Sequence, residues 1–239
     1  MSERSRSFDT AAAEYERYRP EYPEEALRWL ADRLELLPGA RVLDIGAGTG
    51  KLTRGLAALG LDVVAVEPGA AMLAQLRTAV PGVEALEGSA EAIPLPDGSV
   101  DAVAAGQAFH WFDQARALPE LHRVLRPPGG MGLLWNWEDT RNPLSARLAA
   151  IFRGPDAGFR HRPPDPRFFE PVDQAVVESV VSTTPEALAA WFGTTSRLLT
   201  AEPSRRDELL GQIRGAAAEY GGRFALPVLT YVYAYRAVS

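Results

Sequence analysis

The amino-acid sequence predicts an α/β fold: a doubly wound, mostly parallel sheet with an antiparallel C-terminal strand and a helical cap and insertion. Three observations carry this expectation. Short apolar runs rich in β-branched residues, Val42–Ile45 and Val63–Val66 above all, alternate with helical patterns. Strands alternating with helices in this way require right-handed crossovers, which cover a parallel sheet on both faces. The first run passes straight into Gly46-Ala47-Gly48-Thr49-Gly50, a strand-to-helix turn, and the last run, Leu226–Ala237, alternates as a strand with unlike faces does.

The elements follow in order. Ala12–Arg33 is a helical region interrupted by Pro20 and Pro23, because proline removes a donor and clashes inside a helix. Its second part opens with Pro23-Glu24-Glu25, a favourable first turn. Ala40–Ile45 is a strand followed by a helix through Leu59; Asp62–Glu67 repeats the scheme with a helix over Gly69–Ala79. Val83–Leu86 and Val100–Ala105 read as strands, Gln114–Leu125 as a helix and Gly130–Trp135 as a strand. Asn142–Pro171 carries Pro155, Pro163, Pro164, Pro166 and Pro171 and reads as an irregular excursion or lid on the substrate side. A strand over Ala175–Thr183 and helices over Glu186–Phe192 and Arg205–Tyr220 complete the chain. No linker divides it, so 1–239 is expected to be one domain: a cap over 8–34, a cofactor-binding core over about 36–140, an insertion over about 141–171 and a C-terminal part over 172–239.

Composition excludes several classes of function. Of 239 residues, 46% are hydrophobic and 23% charged, which rules out disorder. Cysteine is absent, which removes disulfides, thiolate metal sites and cysteine nucleophiles together. His110, His122 and His161 are scattered, so no metal is expected. A net charge of −6 argues against nucleic acid as partner. No apolar stretch approaches the ~20 residues of a membrane span, and the polar start is unlike a signal peptide, so a cytoplasmic location is expected. Arginine supplies almost all positive charge, and Lys51 is the sole lysine.

The glycines after the first strand let the backbone turn tightly and let a ligand approach it closely. A dinucleotide fold uses such a turn too. Here, however, Lys51 stands where that fingerprint needs its third small residue, and Asp44 has no part in it. The run Val42–Gly50, with Glu67 at the end of the second strand, Glu87–Asp101 and Val124–Gly130, resembles the class I S-adenosylmethionine-dependent methyltransferases, in particular those of ubiquinone and menaquinone biosynthesis. The resemblance covers roughly the first 140 residues and implies a Rossmann-like fold with S-adenosylmethionine as cofactor and S-adenosylhomocysteine as product.

By that resemblance Asp44, Gly46, Ala47, Gly48 and Gly50 cradle the methionine moiety, and Glu67, followed by Pro68, takes both ribose hydroxyls. Met72 either packs on adenine or faces the core. Ser89 stands where relatives often carry an acid, so Glu91 would supply the acceptor for the adenine amino group, with the Ala90 N–H on a ring nitrogen. Tyr15 and Arg19 match a Y-x-x-x-R-P pattern in a helix that covers the cofactor; Arg19 either binds the methionine carboxylate or is a surface arginine beside Pro20. The run Gln107–Asp113 falls where cofactor methyl and substrate meet. Gln107 is assigned to the cofactor, and Phe109, Trp111 and Phe112 are expected to wall off water. His110 is either a general base with a pKa near neutrality or a packing residue that orients the loop. The implied activity is methyl transfer to an O, N or C atom of a small molecule, without nucleic-acid or membrane partners, by a monomer or homodimer. The alternatives are an NAD(P)-dependent oxidoreductase and a catalytically silent S-adenosylmethionine-binding protein.

Overall fold

The computed structural model describes residues 11–153 and 161–238. Strands β1 (Arg41–Ile45), β2 (Asp62–Glu67), β3 (Glu84–Glu87), β4 (Val100–Gly106), β5 (Leu125–Glu138), β6 (Phe169–Thr183) and β7 (Phe224–Ala237) form one sheet in the order β3-β2-β1-β4-β5-β7-β6. Strands β1 to β5 pair in parallel, and β7 runs antiparallel to both of its neighbours. Strand order reverses between β1 and β4, which pair through Val42–Ala102 and Asp44–Ala104. The connections leaving their carboxyl ends therefore diverge, and a crevice opens between them.

The helices are α1 (Ala12–Tyr18), α2 (Glu24–Arg33), α3 (Lys51–Ala58), α4 (Ala70–Ala79), α5 (Gln114–Val124), α6 (Pro143–Arg153), α7 (Pro185–Gly193), α8 (Ser196–Leu199) and α9 (Pro203–Ala218). The period-2 alternation of the strands sorts the core into layers. Leu43, Ile45, Val64, Val66, Val103 and Leu133 meet Leu118 and Leu121 of α5. Their neighbours Val42, Val63, Ala102 and Leu134 pack on the other face against Leu27 and Leu30 of α2 and Leu52 and Leu56 of α3. Each fully buried leucine contributes about 1.5–3 kcal/mol over its exposed state. A further layer joins α6, α7 and α9 to Leu226 and Val228 of β7.

Two expectations are corrected. The segment 142–171 is not irregular throughout, because α6 occupies Pro143–Arg153. Asn142 caps that helix, its Oδ1 accepting from the N–H groups of Leu144 at 3.0 Å and Ser145 at 3.2 Å. Leu144, Leu148 and Phe152 lie four residues apart on one face and are buried against α7 and α9. Strand β6 begins at Phe169 rather than Ala175, and a register shift between Pro171 and Asp173 absorbs the proline that argued against it. Pro155 lies outside the described residues. No helix among the described residues is long and apolar enough to cross a membrane.

Candidate active site

At the carboxyl end of β1 the chain turns through Gly46, Gly48 and Gly50, with φ of 67°, 58° and 90°. The N–H groups of Gly46 and Ala47 both donate to the Val66 carbonyl, at 2.8 and 3.2 Å, which ties the turn to β2. A Cβ on Gly46 would stand 2.8 Å from the Ala108 Cβ, so glycine is required there by contact as well as by φ. A Cβ on Gly48 would meet no atom within 4 Å, and the space above it belongs to a cleft of about 500 Å³. That volume lies within the ordinary range of small-molecule sites.

Ten of the predicted cofactor residues line this cleft: Tyr15, Gly46, Gly48, Glu67, Pro68, Met72, Ser89, Ala90, Glu91 and Gln107. Glu67 is 8% exposed; its Oε2 accepts from the Gly48 N–H and its Oε1 from the Gly69 N–H, both at 2.8 Å. The carboxylate thus braces the glycine turn and the start of α4 at once. A carboxylate oxygen can accept more than one hydrogen bond, which suits ligand hydroxyls. Met72 answers to both of its readings: it is 3% exposed in α4 and lines the cleft. Glu91 Oε1 accepts from the Asp113 N–H at 3.0 Å, which anchors that carboxylate in the cleft lining, and its Oε2 has no partner among the described residues.

Arg19, Asp44 and Ala47 line a smaller inner cavity of about 40 Å³, together with Tyr15, Gly46 and Gly48 from the outer one. Gly50 lines neither and serves the turn. Asp44 is fully buried; its Oδ2 accepts from the Thr53 hydroxyl at 2.6 Å, while Oδ1 and the nearby Thr49 Oγ1 are buried without partners. Burial pushes the Asp44 pKa up to about 7, the Thr53 hydrogen bond opposing it and the charge of Glu67 adding to it. Arg19 is not a loose surface residue. Its Nε donates to Thr194 Oγ1 at 2.9 Å and its Nη2 to the Thr194 carbonyl at 3.2 Å, and the guanidinium lies 5.1 Å over the Tyr15 ring. Lys51, 7% exposed, ties the cap down: Nζ donates to the Glu16 carbonyl and to Glu21 Oε1, both at 2.8 Å. Two contributors come from far down the chain, Asn136 of β5 and Trp191 of α7. Neither carried a sequence signal, since an asparagine in an apolar run and a tryptophan on a helix read equally as local packing.

After β4, Gln107 takes φ of 56° although it is not glycine. Its Nε2 donates to the Asn136 carbonyl at 2.7 Å, and Asn136 Nδ2 donates in turn to the Glu21 carbonyl at 3.1 Å. Such backbone strain of about 1–3 kcal/mol persists where surrounding bonds enforce it, and it clusters at functional sites. Of the three aromatics expected as a wall, Trp111 and Phe112 line the cleft, but Phe109 is 1% exposed in the core and only supports Phe112, edge-on at 5.8 Å. The expected near-neutral pKa of His110 is also corrected. The ring keeps an exposed edge, yet burial of the remainder, with the Arg19 charge, pushes its pKa down to about 4.

The model of a methyltransferase domain matches residues 43–132. An uncharacterized methyltransferase of Mycobacterium tuberculosis is 45% identical over 233 residues, covering 95% of this chain and 93% of the relative. One from Schizosaccharomyces pombe is also 45% identical, over 147 residues that make up 61% of this chain and 59% of that protein. Among solved structures, a protein assigned as a type II methyltransferase from Anaeromyxobacter dehalogenans superimposes with a TM-score of 0.68 at 26% identity, covering 92% of this chain and 98% of that one. The relative aligned along nearly its whole length, the domain match over β1 to β5 and the sheet order agree, and they set aside the oxidoreductase alternative. The chain belongs to the class I S-adenosylmethionine-dependent methyltransferases.

Proposed function

We propose that this methyltransferase binds S-adenosylmethionine across the two cavities and methylates an O, N or C atom of a small molecule in the cytoplasm, releasing S-adenosylhomocysteine. When bound, the cofactor supplies an electrophilic methyl group on a positively charged sulfur. The residues present fit it. Unpartnered Asp44 Oδ1 and Thr49 Oγ1 beside the glycine turn suit an ammonium group, and Arg19 suits the neighbouring carboxylate. Glu67 accepts the ribose hydroxyls, while Met72, Ser89, Ala90 and Glu91 surround the base. Trp111 and Phe112 exclude water and offer aromatic faces to the cationic sulfur. Gln107 and Tyr15 line both cavities, and His110 sits in the turn between Ala108 and Trp111 of the outer one. Rate enhancement then comes from positioning and water exclusion, since the methyl donor is already activated. The net charge of −6 supports a small-molecule partner rather than nucleic acid. Every residue named here belongs to one chain, which supports a monomer or a homodimer.

The observation that carries this reading is the glycine turn braced by Glu67 under an open 500 Å³ cleft. Calorimetry with S-adenosylmethionine and with NADH tests it: micromolar binding of the first and none of the second is expected. Failure to bind S-adenosylmethionine would overturn the reading. A silent binding protein would instead bind it and transfer label to no acceptor in a metabolite screen.

A further inference from the structure

The 3₁₀ turn Phe109–Trp111 sets His110 beside the cleft, between Ala108 and Trp111, which both line it. Behind the ring, the Trp135 indole N–H donates to His110 Nδ1 at 3.3 Å. An indole N–H donates and does not accept, so Nδ1 must present its lone pair. A neutral imidazole with a bare Nδ1 carries its proton on Nε2. Trp135 is itself held: it is 5% exposed, 6.0 Å from Tyr233 edge-on and 5.0 Å from His161, whose Nε2 lies 2.6 Å from the Tyr235 hydroxyl. These neighbours are neutral near pH 7, because burial lowers His161 to about 4 and raises both phenols. On the turn's far side the exposed Asp113 lines the cleft, and its Oδ1 caps α5 by accepting from the Ala115 N–H at 3.2 Å. Arg19 is the charge that acts on His110, and it is positive. His110 Nε2 has no partner among the described residues.

We propose that His110 meets the methyl acceptor as a hydrogen-bond donor through Nε2–H, that Trp135 is the positioning residue that sets this tautomer, and that the acceptor atom is an oxygen arriving ionised, as a carboxylate or phenolate. This rests on the methyl-transfer reading above. A neutral hydroxyl or an ammonium acceptor must lose a proton, which His110 with a protonated Nε2 cannot take. An anionic oxygen needs no base. Its lone pair forms the new C–O bond as the C–S bond breaks, and the C–S electron pair stays on sulfur. Charge is annihilated at both reacting centres and no proton is released. Until then the Nε2–H holds the anion in place.

Two measurements test this. In 15N-labelled protein without ligand, the His110 ring should show a bare Nδ1 and a protonated Nε2, unchanged from pH 5.5 to 8.5. Trp135→Phe should mix the tautomers. A protonated Nδ1 or an imidazolium at pH 7 would overturn the proposal. The second measurement uses methyl-labelled S-adenosylmethionine with a metabolite extract split by anion exchange. Label is expected in the retained fraction, as a base-labile ester from a carboxylate or a base-stable ether from a phenolate. Label only in the unretained fraction overturns the proposal and leaves the methyl-transfer reading standing; label in no fraction overturns both. On the acceptor so found, His110→Ala should lower kcat about 10- to 100-fold, and His110→Asn, which keeps a donor, should recover most of it. A general base would not be rescued by asparagine.

Discussion

Replacing Asp44 by asparagine separates what a buried carboxylate costs the fold from what it offers a ligand. Asp44 is fully buried with one oxygen unpartnered, and burial raises its pKa from 3.8 to about 7. An acid whose folded pKa lies above its unfolded value stabilises the fold only while protonated. That contribution is complete below pH 4 and lost as pH rises through 7. Within this window the folded chain holds one proton that the unfolded chain has released, so stability falls by about 1.4 kcal/mol per pH unit. From pH 5 to 7 the loss is roughly 2–3 kcal/mol, a large share of a typical domain's total. Asparagine does not titrate. Urea unfolding of both proteins at pH 5, 6, 7 and 8 should therefore show their stability difference moving toward the variant by that slope and levelling above pH 7.5. The other titrating groups are common to both chains and cancel. Parallel lines would refute the argument. Ligand affinity should move the other way: in the native protein, S-adenosylmethionine binding strengthens by about tenfold from pH 6 to 8 as the carboxylate ionises to meet an ammonium group, and in Asp44→Asn it stays flat.

Other perturbations probe the remaining contacts. Glu67→Ala should weaken S-adenosylmethionine binding by about 1.5–3 kcal/mol, the scale of hydrogen bonds to a charged group; unchanged affinity by calorimetry in a folded variant would remove Glu67 from the ribose site. Glu91→Gln should weaken binding more than Ser89→Ala, because Glu91 Oε1 is anchored on the Asp113 N–H and Oε2 has no partner among the described residues; equal, negligible effects would mean that backbone groups alone read the base. Gly46→Ala should cost about 1–3 kcal/mol in thermal unfolding, since its Cβ would sit 2.8 Å from that of Ala108 at a positive φ. Lys51→Met should release the cap and speed cofactor dissociation about tenfold in stopped-flow measurements, because Nζ loses Glu16 and Glu21.

Strands β1, β2 and β4 were legible because they are buried apolar runs that end at or near glycines, signals that are local. The Asp44–Gly50 turn and Glu67 were legible for the same reason, as they sit at strand ends where a parallel sheet gathers ligands. Helix α6 was missed because the prolines from 155 to 171 outweighed a short signal, Asn142-Pro143 followed by Leu144 and Leu148. The pKa of His110 departs from the sequence expectation because its causes are distant in sequence: burial, to which Trp135 of β5 contributes through its indole N–H, and the charge of Arg19 from the cap. Thr194, which holds Arg19, stands 175 residues away from it. Contacts of that span are made by the sheet order, and no window of sequence contains both partners.

The chain's one lysine, Lys51, points its amine at the cap and is 7% exposed. Amine-directed acylating reagents therefore meet, apart from the α-amino group, a single target that they cannot reach while α1 lies over it. Acylation needs a neutral, accessible amine, so the rate at which mass spectrometry finds residue 51 modified counts openings of the cap. S-adenosylmethionine, if bound beneath α1 as proposed above, is expected to slow that modification. The protein thus carries its own chemical reporter of the cap's position, with no engineered label and no competing lysine to mask the signal.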